Sequence, residues 1–260
     1  MHRTRSRVLQ RSAAALALAA GALALAWHDV LPGGWTLRGL VRPHAEREAE
    51  ARAAHRSLRL AEFEREALAP SAVVFLGSST IERFPLAEAF PGATTLNRGI
   101  GDEPLAQLIE RIPRALPEAP RAWVVYAGSV DVRRLARPAD AVARDAALLL
   151  DALAERAPSA PVVWLGVLPD RTMAPDVASR VAALNAALEA LVTARGGVFV
   201  DTHRPPLVNA AGALPIAASV DELHLSEAGY AALARWLGDA VPALRTTTPR
   251  EAPSKGLSGQ

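Results

Sequence analysis

The sequence predicts a doubly wound α/β domain of three layers, with a five-stranded parallel sheet between two layers of helices. Three observations carry this expectation. Short apolar runs alternate along the chain with stretches of helical length. Half of the 260 residues are apolar, enough for a large core. The polar residues able to do chemistry fall just after the apolar runs, and in sheets of this kind ligands bind outside the carboxyl ends of the strands.

In chain order, residues 1–11 carry Arg3, Arg5, Arg7 and Arg11 with no acid, and an uncharged run rich in Ala and Leu follows over 12–27. A basic region followed by an apolar one is a targeting device. Residues 1–34 are therefore read as a signal peptide, cut after residues 24–26, or as a membrane anchor of minimal length. Both alternatives keep the arginines inside and send the rest of the chain outward. The expected location is exported: anchored in the inner membrane, periplasmic or extracellular. Residues 35–69 read as a charged helical stalk or linker. Its stretch from about Pro43 to Leu68 is dense in Glu, Arg and Ala, with Leu58, Leu60 and Phe63 as packing residues. Residues 70–245 form the predicted domain, and the polar stretch 246–260 reads as a disordered tail.

The domain opens with Val73-Val74-Phe75-Leu76-Gly77-Ser78-Ser79-Thr80, a buried strand ending in a glycine and three hydroxyl residues. Gly77 permits a sharp turn, and a helix is expected from Thr80 to Phe90. Further strands are predicted at 93–96, 122–126, 162–167 and 197–200, and helices at 104–116, 139–156, 177–194 and 227–240. The polar signals after these strands are Asn97-Arg98-Gly99-Ile100-Gly101-Asp102, Gly128-Ser129-Val130-Asp131 and, closing the loop after the fifth, Asp221-Glu222-Leu223-His224.

Composition removes several functions. A net charge of +2, with no basic stripe interleaved with aromatics, argues against nucleic-acid binding. The absence of cysteine rules out disulfides and thiolate metal sites. Asp201-x-His203 lacks further ligands, so no metal is predicted. No phosphate-binding glycine loop follows the first strand, so no cofactor is expected. The loop 203–220, with Pro205, Pro206, Leu207 and Leu214, reads equally as pocket lining or as packing.

The chemistry is decided at the end of the domain. An Asp three residues before a His, in a loop leading into a helix capped near Ser226, can orient the imidazole with its carboxylate. Across the cleft, Ser79 stands where a strand meets a helix N-terminus, a place that favours an alkoxide or oxyanion. Ser79, Asp221 and His224 are thus candidates for nucleophile, orienting acid and base.

These residues resemble the SGNH (GDSL-like) hydrolases over roughly 60–237. The resemblance rests on the Phe-Leu-Gly-Ser-Ser block and the helix before it, Asn-Arg-Gly-Ile-Gly, Tyr126-Ala127-Gly128, and Asp221-Glu222-Leu223-His224-Leu225 followed by Glu227-Ala228-Gly229-Tyr230. It implies a flavodoxin-like sheet and hydrolysis of acyl or acetyl esters through an acyl-enzyme. Ser79 is then the nucleophile, His224 the base and then acid, and Asp221 its partner, with backbone N–H groups of Ser79 and the Gly101–Asp102 segment in the oxyanion hole. Two positions depart from the family pattern: Asp102 stands in place of a glycine, and Val130 in place of an asparagine that donates to the oxyanion. Losing one such donor costs about 3 to 4 kcal/mol of transition-state stabilisation. Three readings follow: an exported esterase acting on a small-molecule, cell-envelope glycan or lipid ester, an impaired relative that binds a carbohydrate or acyl ligand, and a structural envelope protein.

Overall fold

The computed structural model describes residues 43–114, 116–172 and 174–245. The calls for a targeting segment at 1–34 and a tail at 246–260 lie outside these. The chain divides into two compact units, Met1–Ala54 and His55–Gln260. Of the first, the described part is the leading portion of helix α1 (His44–Arg65), where Glu48 pairs with His44 at 3.4 Å and with Arg52 at 3.6 Å.

The second unit is a three-layer α/β/α domain. Its strands β1 (Val73–Gly77), β2 (Thr95–Gly99), β3 (Ala122–Tyr126), β4 (Val162–Leu165) and β5 (Val198–Val200) form one parallel sheet in the order β2-β1-β3-β4-β5. That order reverses direction between β1 and β3, so the crevice of a flavodoxin-like sheet opens at the carboxyl ends of these two strands. Successive side chains alternate between the faces. Val74, Leu76, Trp123, Val125 and Trp164 enter one core with helices α4 (Leu105–Arg111), α6 (Ala139–Arg156) and α7 (Pro175–Ala194). Val73, Phe75, Val124, Tyr126, Val163 and Leu165 enter the other with α2 (Ser79–Glu82), α3 (Leu86–Ala89) and α8 (Glu227–Ala240). A further short helix, α5 (Ser129–Arg133), follows β3.

The boundaries differ from expectation where proline or a buried charge intervenes. The helix expected over 80–90 is broken into α2 and α3 because Pro85 disfavours helical geometry at Phe84 and supplies no N–H. In the same way α4 stops at Arg111, two residues before Pro113. Strand β2 starts later than predicted, after the turn at Gly92 (φ +83°), and runs through Asn97 and Arg98 to Gly99. Two such polar residues fit a strand because both are engaged. Arg98 is fully buried, paired with Glu66 and 4.9 Å over the Phe63 ring, while Asn97 Nδ2 donates to the carbonyls of Ile81 (2.7 Å) and Glu82 (3.2 Å).

Residues 55–65 of α1 pack through a stripe of His55, Arg56, Arg59, Leu60 and Phe63, of which Phe63 is buried. Leu58 does not join it, contrary to expectation, and is 63% exposed: five residues from Phe63, it lies roughly 140° away around the helix. Three guanidinium groups surround the Phe63 ring, Arg59 at 4.8 Å, Arg98 at 4.9 Å and Arg111 at 5.6 Å. Their charge is matched by Glu62, Glu66 and the buried Glu103, which takes Arg111 Nε at 2.9 Å and Nη2 at 2.8 Å. In the 203–220 loop, Leu207 and Leu214 are core residues, whereas Ile216 and Val220 are exposed.

Candidate active site

Strand β1 delivers its terminal residues against β3 at a separation that only glycine permits. Gly77 has φ +147°, and a Cβ there would lie 2.0 Å from the Tyr126 carbonyl oxygen. Ser78 is extended and buried, and Ser79 begins α2, so its hydroxyl emerges beside the N-terminal N–H groups of that helix. Tyr230 braces this turn from α8 by donating its hydroxyl to the Thr80 carbonyl at 3.1 Å. Burial pushes its phenol pKa up and keeps the group protonated.

The loop before α8 carries the partners. His224 Nε2 lies 3.2 Å from Ser79 Oγ, and Nδ1 lies 2.7 Å from Asp221 Oδ2. With a carboxylate on Nδ1, that nitrogen carries the proton and Nε2 accepts from the serine hydroxyl. Asp221 Oδ1 accepts the N–H groups of Leu223 at 2.9 Å and His224 at 2.8 Å. Partial desolvation works to raise the Asp221 pKa. These two backbone donors, the imidazole hydrogen bond and the imidazole charge outweigh it and hold the carboxyl well below the usual carboxylate range.

The loop is held from both ends. Ser226 caps α8 by accepting from Gly229 N at 3.3 Å, and Val220 N donates to the His224 carbonyl at 2.9 Å. Arg171 donates to Ser219 Oγ (2.7 Å) and carbonyl (2.8 Å), and Thr172 Oγ1 to Glu222 at 2.6 Å. Residues 168–170 are tied in turn to α5, where Arg133 Nε reaches Asp170 at 2.8 Å. None of these tertiary anchors has a local sequence signal.

The oxyanion side differs from the sequence expectation. Gly101 N–H, one of its expected donors, is instead donated to a carboxylate oxygen of Glu82, one turn beyond Ser79 on α2, so it is engaged within the protein. Asp102 keeps the left-handed backbone that a glycine would take (φ +58°), and its carboxylate is turned to Arg134 Nε at 2.8 Å. Val130 is the second residue of α5 and half-buried, with no polar atom to offer. Ser129 beside it is buried, its Oγ accepting from Arg133 Nη1 at 2.6 Å. His203 Nε2 lies 2.9 Å from the Val167 carbonyl, away from Ser79 and His224 in the bonding pattern.

Comparison with known proteins bears on the family and the fold. The model of the GDSL-like Lipase/Acylhydrolase family matches residues 79–232. Among solved structures, a candidate platelet activating factor from Streptococcus pneumonia superposes with a TM-score of 0.68 at 23% identity, covering 76% of this chain and 97% of that one. A GDSL-like lipase from Bacteroides thetaiotaomicron gives 0.58 at 23% identity, over 76% of this chain and 97% of that one. A catalytic mutant of an acetylxylan esterase from Geobacillus stearothermophilus gives 0.52 at 14% identity, over 69% and 99%. At these identities the likeness concerns the fold. No curated protein matches by sequence.

Proposed function

We propose, from the premise that the chain belongs to the GDSL-like lipase/acylhydrolase family, that it is an exported serine ester hydrolase acting on acyl or acetyl esters. The observation that carries the proposal is the continuous chain Ser79 Oγ, His224, Asp221, with links of 3.2 and 2.7 Å. Nucleophile, base and orienting acid are each within bonding reach of the next.

In the first half-reaction His224 Nε2 takes the Ser79 hydroxyl proton as Oγ attacks the ester carbonyl carbon. The resulting oxyanion faces the N–H groups of Ser79 and Asp102. When the carbon–oxygen bond breaks, the imidazolium returns its proton to the departing alkoxide and the alcohol leaves, with the acyl group on Ser79. Water then attacks with its proton passing to His224, and the acid and free serine are released. Asp221 stays ionised throughout, fixing the tautomer and stabilising the imidazolium.

The targeting pattern of residues 1–34 supports export, and an acetyl or acyl ester of a cell-envelope glycan or lipid fits that location. The acetylxylan esterase neighbour shares the fold and is compatible with an acetyl ester on a glycan.

A second reading, an impaired relative that binds an acyl or carbohydrate ligand, is favoured by Val130 and by the engagement of Gly101 N–H with Glu82. The two readings separate on p-nitrophenyl acetate and butyrate turnover by the full chain beside Ser79→Ala. Serine-dependent turnover is expected; equal rates in both proteins would transfer the assignment to the binding protein.

A further inference from the structure

We propose that His55 and Arg59 of α1, together with Glu82, form a clamp that positions the loop from Gly99 to Asp102 for catalysis, so that residues 55–59 support the active site. The inference rests on the hydrolase reading above and adds positioning residues to it.

The contacts converge on one carboxylate. Glu82 accepts the Gly101 N–H and meets His55 Nε2 through both oxygens, at 3.0 and 3.1 Å. Arg59 Nε stands 3.6 Å from the same carboxylate, and its Nε and Nη2 reach the Gly99 carbonyl at 3.3 and 3.2 Å. The loop is thereby gripped at a carbonyl and at an N–H two residues later. It also lies hard against α2. A Cβ on Gly99 would come within 2.2 Å of Glu82 N, and one on Gly101 within 2.9 Å of the Glu82 carboxylate. Gly99 is therefore required by close approach to backbone, whereas a side chain at Gly101 would displace the Glu82 carboxylate.

Asp102 follows directly, in its left-handed conformation, and the hydrolase reading takes its N–H as an oxyanion donor. An oxyanion donor acts over a narrow distance range, so fixing Gly101 fixes the N–H after it. The grip also answers an electrostatic problem. A bare carboxylate one turn from the nucleophile would oppose the charge developing on the substrate oxygen. Surrounded by the His55 ring, the Arg59 guanidinium and a backbone N–H, the Glu82 charge is spent on donors of its own.

The test uses the full chain, with kcat and KM for p-nitrophenyl acetate and thermal melting measured for wild type, Ser79→Ala, Glu82→Ala, Glu82→Gln and His55→Ala. Loss of the clamp is expected to lower kcat of Glu82→Ala by about ten-fold or more with KM within about two-fold, because the displaced donor acts on the transition state. Glu82→Gln keeps an oxygen for the Gly101 N–H and is expected within about three-fold of wild type. His55 is partly exposed, so His55→Ala keeps the melting temperature while lowering kcat. Serine-dependent turnover that is unchanged in both Glu82→Ala and His55→Ala overturns the clamp alone. Wild type indistinguishable from Ser79→Ala overturns the hydrolase reading and the clamp with it. Amide exchange at Gly101 gives an independent reading: faster exchange in Glu82→Ala is expected, and unchanged exchange overturns the grip whatever the activity.

Discussion

Replacing Val130 by asparagine should return a donor to the oxyanion side of the site. Residue 130 is the second of α5, two past Gly128 at the carboxyl end of β3, and β3 lies directly beside the strand that delivers Ser79. With Gly101 N–H engaged by Glu82, the proposed mechanism relies on the N–H groups of Ser79 and Asp102. A preorganised side-chain donor contributes about 3 to 4 kcal/mol to the transition state. Val130 is only half-buried, so about half of that is expected, roughly 1.5 to 2 kcal/mol, or about 10- to 30-fold in kcat. The substitution touches no buried hydrogen bond, and its cost in stability should stay below about 1 kcal/mol. The assay is serine-dependent hydrolysis of p-nitrophenyl acetate, wild type beside Val130→Asn, with Ser79→Ala as background. A change smaller than about three-fold in a protein that melts normally would refute the reasoning and point to a site rebuilt around another donor.

Other perturbations follow from the same geometry. Asp221→Asn should lower kcat by about 10⁴-fold, because the amide no longer enforces the Nδ1–H tautomer; retained activity in steady-state kinetics would argue that His224 is oriented otherwise. The lowered Asp221 pKa has a definite sign: its stabilisation is complete above the unfolded carboxylate value near 4 and is lost only as pH falls through the lower folded value. Wild type and Asp221→Asn should therefore differ in melting temperature by a constant amount from about pH 5 to 8 and converge only in stronger acid; convergence already at pH 5 would contradict the hydrogen-bonding scheme. Gly77→Ala should fail to give folded protein, since its Cβ meets the Tyr126 carbonyl at 2.0 Å; a soluble, normally melting variant would show that the strands can separate. Phe63→Ala removes a buried ring and the surface shared by three guanidinium groups, so a loss of about 3 to 5 kcal/mol, on the order of 10 °C in melting temperature, is expected by calorimetry.

The architecture was legible where one force acted alone. The third strand and the helices at 139–156 and 227–240 fall where apolar patterning placed them, because burial decides those segments and little competes with it. Ser79, Asp221 and His224 were legible because each stands in a dense local motif, and the structure brings the three together. Arg98 shows the opposite case: its place inside a strand depends on Phe63 and Glu66, more than thirty residues away in sequence. The roles of His55, Arg59 and Glu82 were equally hidden, since a charged helix shows no preference for one loop until both are folded. Leu58 falls outside the packing stripe because hydrophobicity alone carries no angle around the helix, and the stripe that packs is mostly arginine and histidine.

The span between Ser79 and His224 has a kinetic consequence. Their contact closes a separation of 145 residues and joins the first strand to the loop before the last long helix. A contact of that order is unfavourable early in folding, when the entropy of closing so long a loop has little to offset it. Recovery of catalytic power during refolding should accordingly trail the return of helical signal.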